Sequence, residues 1–392
     1  HDAGWTPFDV DHIECHGTGT PVGDGIELKS MQTVWGQEGW TRGQCAIGSV
    51  KSMIGHLLTG AGIAGAIKTL LALEHQTLPP SLNFKRPGKG SPLENGPFRI
   101  EESATEWKRR KEHPRRAALS AFGFGGINAH ILVEDYEKDQ TKTWSVPSDI
   151  KNLPLPQVAV VGMGVYSGPL KNLEDFQNLV FSGVPLEKKP AGPLRFHGTE
   201  QVASLHLNGK TPPAGCYIDD FTVSLGEFHI PPNEIPDILP QHLLMLKAAG
   251  EALDNAGIPR RVDRPRMGSA IGMAFDYEAA NFHLRWNLES AVDTWNETLK
   301  LGLDQEQKSD WLENLKNSVH PPLTAARTTG ALGGIIASRV AKEFRLGGPC
   351  FIVSCEEASG LKALAIGLRS IQNGETDMYL VGAVDLPGEI RN

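Results

Sequence analysis

The 392-residue sequence lacks a CxxC pair, and its five cysteines, at positions 15, 45, 216, 350 and 355, are odd in number. That pattern argues against a disulfide framework or a structural zinc site; no metal is expected, and a reducing cytoplasmic setting fits best. An excess of positive charge is also missing. Lys and Arg number 38 against 46 Asp and Glu, a formal net charge of -8, and the basic clusters at residues 108–111 and 115–116 are short. A nucleic-acid partner is therefore not expected. The most apolar window, residues 57–73, contains glycines and Lys68, so it predicts a packed helix and no membrane span. No secretion leader follows His1, and the expectation is a chain that begins inside a longer protein. The charged fraction of 21% is too low for disorder, and the length predicts two or three domains or parts of them.

What is present is an alternation of strand and helix signals. Residues 10–14 and 45–50 have the apolar content of buried strands, and residues 24–34 and 60–73 look helical. Two further strands, 117–122 and 128–133, flank the glycine-rich turn FGFGG at 122–126. Residues 137–155 lose the periodicity and gain charge, serine and proline, which is linker composition. The alternation then restarts, with strands predicted at 158–161, 267–273, 350–355 and 378–384 and helices at 240–256, 325–344 and 358–371. Residues 185–213, rich in proline, glycine and polar side chains, read as an extended loop. The prediction is an α/β chain of two blocks, 1–136 and 156–392, joined by a linker over 137–155.

Chemistry concentrates in three segments of the first block: ECHGTGTPVGD at 14–24, GSVKSMIGH at 48–56 and SAFGFGGINAH at 120–130. Imidazoles donate hydrogen bonds while neutral and titrate near neutral pH, and a lysine supplies a fixed cation. Alternating Gly and Thr allows a backbone to approach a thin substrate with hydroxyls facing it. Each feature also has a plainer reading. A lone histidine is usually structural, Lys51 would be a surface lysine, HGTGT a turn capped by Thr hydroxyls, and FGFGG a bend between strands. Asp24 and Glu27 either hold the lysine or complement a helix dipole, and the dipole is the favoured reading.

Taken together, these segments resemble the C-terminal half of a β-ketoacyl synthase, the condensing domain of fatty acid and polyketide synthases, over essentially all of residues 1–136. The resemblance implies a thiolase-like, αβαβα-layered α/β fold and decarboxylative Claisen condensation of acyl and malonyl thioesters. It implies His16, Lys51 and His56 as the catalytic set and Thr18 and Thr20 along the phosphopantetheine arm. It also places Phe124 at the acyl gate with its N–H in the oxyanion hole, with Asn128 and His130 supporting the turn. No cofactor would bind directly, because the substrates ride on the phosphopantetheine of acyl carrier protein. Gly65 stands where many bacterial stand-alone relatives carry a glutamate, which favours the polyketide side of the family.

The second block resembles the N-terminal half of another condensing domain through VAVVGMG at 158–164, LPQHLLMLKAAGEALDNAGI at 239–258 and GGPCFIVSCEEASGLKAL at 347–364. The resemblance puts Glu357 at a buried elbow where the nucleophilic cysteine stands. Cys355 would need a shifted register that turns its side chain elsewhere, and Cys15 and Cys45 read as small buried apolar residues. The chain alone is therefore not expected to condense. A ketosynthase, a linker and a chain-length-factor-like domain in tandem resemble polyunsaturated fatty acid synthases. The expected partners are acyl carrier protein and a ketosynthase/chain-length-factor pseudo-dimer or a homodimer. The competing reading is an inactive condensing-fold scaffold that shapes chain length or docks carrier protein; intact His16, Lys51 and His56 count against it. The string VGMGVYSG misses the GxGxxG spacing, so no nucleotide site is expected.

Overall fold

The computed structural model describes residues 3–110, 113–123, 126–136, 156–190, 214–218, 221–273, 278–319, 322 and 324–386, with the backbone alone for residues 190 and 278–283. The predicted linker 137–155, Phe124 and residues 191–213 of the predicted loop lie outside the described residues. Two compact units make up the chain, one over residues 1–152 and one over residues 153–392.

In the first unit the elements run β1 (His12–Glu14), α1 (Pro21–Trp35), β2 (Cys45–Gly48), α2 (Lys51–Ile54), α3 (Ala61–Glu74), β3 (Thr77–Leu78), α4 (Pro92–Asn95), β4 (Phe98–Ile100), β5 (Thr105–Glu106), β6 (Arg116–Phe122) and β7 (Asn128–Glu134). The main sheet has the order β4-β2-β1-β6-β7. Its first four strands are parallel, and β7 returns antiparallel to β6 with His130 opposite Ser120. β1 and β2 are buried throughout, as expected of parallel strands covered on both faces. Successive side chains serve opposite faces. Ile13, Cys45, Ile47 and Phe98 cluster with Trp35 of α1, while Ala46 and Ala117 cluster with Ala72 and Leu73 of α3 and with Trp107. Helix α3 turns Ala61, Gly65, Thr69 and Ala72 inward, a 4-4-3 spacing that makes one stripe. Two helices thus sandwich the sheet, and burying a large side chain such as Phe98, 1% exposed, contributes about 1.5–3 kcal/mol.

The second unit contains α5 (Leu173–Ser182), β8 (Lys189–Pro190), β9 (Ala214–Gly215), α6 (Pro240–Asn255), β10 (Met267–Met273), α7 (Glu278–Thr298), α8 (Gln305–Val319), α9 (Ala325–Ala331), α10 (Ile335–Phe344), β11 (Cys350–Val353), α11 (Ser359–Gln372) and β12 (Met378–Val384). β10 lies between β11 and β12, parallel to both, and is buried along its whole length.

Two expectations need correction here. Residues 158–161 form no strand, and Val160 and Val161 are 76% and 65% exposed. An apolar run supplies side chains for a strand but not a ladder partner, and none of the described strands pairs with it. The following glycines instead lie against α6: a Cβ on Gly162 or Gly164 would sit 2.2 Å from the carbonyl oxygen of Ala252 or Ala248. Met163 N–H and Val165 N–H donate to Asn255 Oδ1 and Glu251 Oε2 at 3.0 and 2.9 Å. Those glycines serve helix packing. The predicted helix 325–344 is two helices, α9 and α10, separated by residues 332–334, where Gly333 and Gly334 carry the poorest helix propensity short of proline. No helix among the described residues is long and apolar enough to cross a membrane.

Candidate active site

β2, β1 and β6 are parallel neighbours, so their C-terminal ends open at one edge of the sheet, the usual location of α/β sites. Three loops leave there. β1 runs into His16, β2 runs through Ser49 into α2 with Lys51 at its start and His56 just beyond, and β6 ends at Phe122 on the hairpin turn. In that turn Gly123 N–H donates to Ile127 O at 2.7 Å. Ser120 Oγ and His130 Nδ1 are 3.0 Å apart across the hairpin. His130 thus ties β7 to β6 across the strand pair.

The HGTGT loop has little freedom. Gly17 adopts φ +38°, and a Cβ there would lie 2.9 Å from Ser49 Cβ, so the β1 and β2 exits approach as closely as glycine allows. Glu27 of α1, buried, accepts from His16 N–H (2.8 Å, Oε1) and Gly17 N–H (2.9 Å, Oε2). Asp24 Oδ1 accepts from Gly19 N–H at 3.1 Å. These carboxylates clamp the loop, a role that stands beside the favoured dipole reading, since Asp24 lies in the first turn of α1. An acid in the first turns of a helix satisfies both descriptions, and only the fold brings the loop amides to it. Thr20 Oγ1 accepts from Gly23 N–H at 3.2 Å as the N-cap of α1 and lies 3.2 Å from Thr18 Oγ1. Thr18, Lys51, Cys15 and Glu27 line a cavity of about 940 Å³; Thr20, His16 and His56 do not.

The two imidazoles meet. Their ring centroids are 5.7 Å apart at 82°, and the Phe122 ring lies 5.3 Å from His16. Phe122 N–H donates to His16 Nδ1 at 3.3 Å, and Leu58 N–H donates to His56 Nδ1 at 3.0 Å. A ring nitrogen that accepts from a backbone N–H carries no proton, so each neutral ring keeps its hydrogen on Nε2. Burial lowers the pKa of His16, and Lys51 and His56 reinforce the shift, while Asp24 opposes it. His16 is thereby held as a neutral donor. Burial also pulls the Lys51 ammonium down, opposed by Glu14, Glu27 and Cys15. Two Nε2–H donors beside a cation form a place where negative charge on an oxygen is stabilised.

Cys15 and Cys45 are buried, and burial pushes both thiols up. In the second unit β11 turns into α11 through residues 354–358, with Glu356 at φ +50°. Ser359 Oγ accepts from Cys355 N–H at 2.9 Å and donates to Glu356 O at 2.5 Å. Glu357 stands on this elbow exposed to solvent, as does Cys355. The expected burial of Glu357 is therefore not met.

A mixed sheet of parallel strands with site loops at its carboxyl edge, followed by a second parallel sheet whose strand turns sharply into a helix, defines a pair of thiolase-like condensing half-domains. The chain belongs to the β-ketoacyl synthase family: the family's N-terminal domain matches residues 156–392, and its C-terminal domain matches residues 1–85. Over 98% of its length it is 28% identical to a polyunsaturated fatty acid synthase component of Thraustochytrium sp., of which it spans 18%. It is 42% identical to "Polyketide synthase PksL" of Bacillus subtilis over 34% of its own length and 3% of that relative. A solved structure described as "PfaC Keto synthase-Chain length factor" superposes with a TM-score of 0.80 at 29% identity, covering 98% of this chain and 40% of that one. The chain is thus a C-terminal ketosynthase half followed by an N-terminal one, and it spans under half the length of these relatives.

Proposed function

We propose that the first block is the malonyl-activating half of a decarboxylative Claisen condensing centre and that the second block is the front of a nonelongating, chain-length-factor-like partner. The observation that carries this reading is the pair of backbone-fixed imidazoles, each accepting a backbone N–H at Nδ1, which leaves Nε2 as the donor nitrogen. In the proposed reaction the bond from the malonyl α-carbon to its carboxylate breaks, CO2 leaves, and the electron pair moves into an enolate. The thioester oxygen carries the charge and accepts from His16 and His56 Nε2–H, while Lys51 adds a positive field. The enolate carbon then attacks an acyl group held on a cysteine sulfur, which leaves as thiolate. No cysteine suited to that role lies in the first unit, and Glu357, exposed on the second elbow, supports a partner that holds no acyl group. Thr18, on the cavity wall, is the residue proposed to meet the phosphopantetheine arm of an acyl carrier protein; Thr20 spends its hydroxyl on the helix cap. A ketosynthase/chain-length-factor pseudo-dimer is the proposed assembly.

The test is a mass-resolved elongation assay with malonyl-loaded acyl carrier protein. The 392-residue chain alone is expected to give no β-ketoacyl product. A longer form bearing a cysteine-containing N-terminal ketosynthase half ahead of His1 is expected to give it. His16→Ala or His56→Ala in that form should cost about 10²–10³-fold, the usual effect of removing one oxyanion donor. Elongation by the chain alone, or full activity in both variants, would refute the reading.

A further inference from the structure

Glu14 ends β1 two residues before His16, and it is 2% exposed. A carboxylate that deep is costly unless it is paired and hydrogen-bonded. Its partners arrive from separate elements. Lys68 Nζ, from α3, donates to Oε2 at 2.8 Å. Val50 N–H, at the N-cap of α2, donates to Oε1 at 2.5 Å. His12 Nε2, on β1 itself, lies 4.0 Å from Oε2, too far for a hydrogen bond. Gly65, one turn before Lys68 on α3, makes the room: a Cβ there would lie 3.1 Å from Glu14 Cγ. A single carboxylate therefore joins the β1 exit, which carries His16, to the β2 exit, which carries Lys51 and leads to His56, and anchors both to α3.

We propose that Glu14, charge-paired with Lys68 in the space left by Gly65, is a positioning residue that holds the Ser49–Lys51 turn in register with the His16 loop. The inference rests on the reading of His16, Lys51 and His56 as the catalytic set, but its consequences are visible without turnover. Glu14 touches no substrate; it acts through Val50 and through its field at Lys51. The other groups that bias Lys51 are Glu27 on α1 and Cys15 beyond β1, and both stay in place when Glu14 is changed.

The experiment compares the 392-residue chain with Glu14→Gln, Lys68→Met and the double variant, following amide hydrogen exchange at Val50 relative to Ile47 of β2 and the NMR titration of Lys51. In Glu14→Gln, Val50 is expected to exchange roughly tenfold faster relative to Ile47, because a charge-assisted acceptor becomes a neutral one. The Lys51 titration is expected to move down, since the carboxylate that favours its charged form is gone. The double variant, with no buried unpaired charge, is expected to restore the melting temperature while leaving Lys51 shifted, which a packing role alone would not do. It also serves if the single variants fail to fold. Wild-type exchange at Val50 together with a wild-type Lys51 titration in Glu14→Gln, or in the double variant, would overturn the proposal. Because neither readout needs turnover, that failure is distinct from failure of the elongation assay.

Discussion

At the residue scale, the backbone chooses which imidazole nitrogen is the donor. His16 and His56 each receive an N–H at Nδ1, which leaves the chemistry to Nε2. Glu27 performs the matching task for the loop, with one oxygen for His16 N–H and one for Gly17 N–H. Replacing Glu27 with Gln leaves a single good acceptor facing two amides. Each orphaned N–H costs about 1–3 kcal/mol, and urea unfolding of Glu27→Gln should show a loss of that size in the first unit. An unchanged midpoint would contradict the clamp. His16, Lys51 and His56 were singled out in the sequence because the segments that carry them resemble a known family. The roles of Glu14 and Glu27 were not legible, because they depend on amides brought to them by other elements. A faint signal did exist for Glu14: an acid ending an apolar strand, and a lysine inside the apolar helix 57–73.

At the element scale, the parallel strands β2, β1 and β6 set the site, and the tight exit at Gly17 sets its spacing. Gly17→Ala forces a side chain into φ +38° against Ser49 and should destabilise by at least about 1–2 kcal/mol. Gly25→Ala, in the interior of α1 with nothing within 4 Å of its Cβ, should stabilise by about 0.5–1 kcal/mol. Thermal melts of the two variants decide it, and equal effects would refute the close-approach argument. The α/β alternation was readable because buried strands are short, apolar and punctuated. The break at Gly333 and Gly334 was hidden by apolar spacing that continues on both sides. The helices α7 and α8 were missed because polar residues dominate them, although the Trp295 and Trp311 rings meet between them at 5.9 Å, tilted by 45°. Residues 158–161 misled because a strand is defined by its ladder partner.

At the scale of the whole molecule, each unit carries a neutral histidine in its interior. Burial holds His12 at a pKa of about 3, assisted by Lys68, and His242 at about 3, assisted by Arg339. A folded-state pKa below the unfolded value of about 6.5 gives stability that is complete above that pH and is lost as pH falls toward 3. The slope is up to about 1.4 kcal/mol per pH unit for each imidazole. Urea unfolding between pH 7 and 4.5 should therefore show a shallower loss in His12→Gln and in His242→Gln than in the wild type. Burial raises Glu14 and Glu27, which acts in the opposite sense in this window, and the comparison with each variant removes that contribution. Parallel slopes would contradict the assignment.

His16 and His56 stand as Nε2–H donors at one edge of the first sheet, each accepting a backbone N–H at Nδ1. Long-range ¹H–¹⁵N NMR of the two imidazoles at pH 7, assigned through His16→Gln and His56→Gln, tests this most directly. Protonated Nε2 and bare Nδ1 are expected in both rings. A proton on Nδ1 of either ring, or a fully protonated imidazolium, would contradict it.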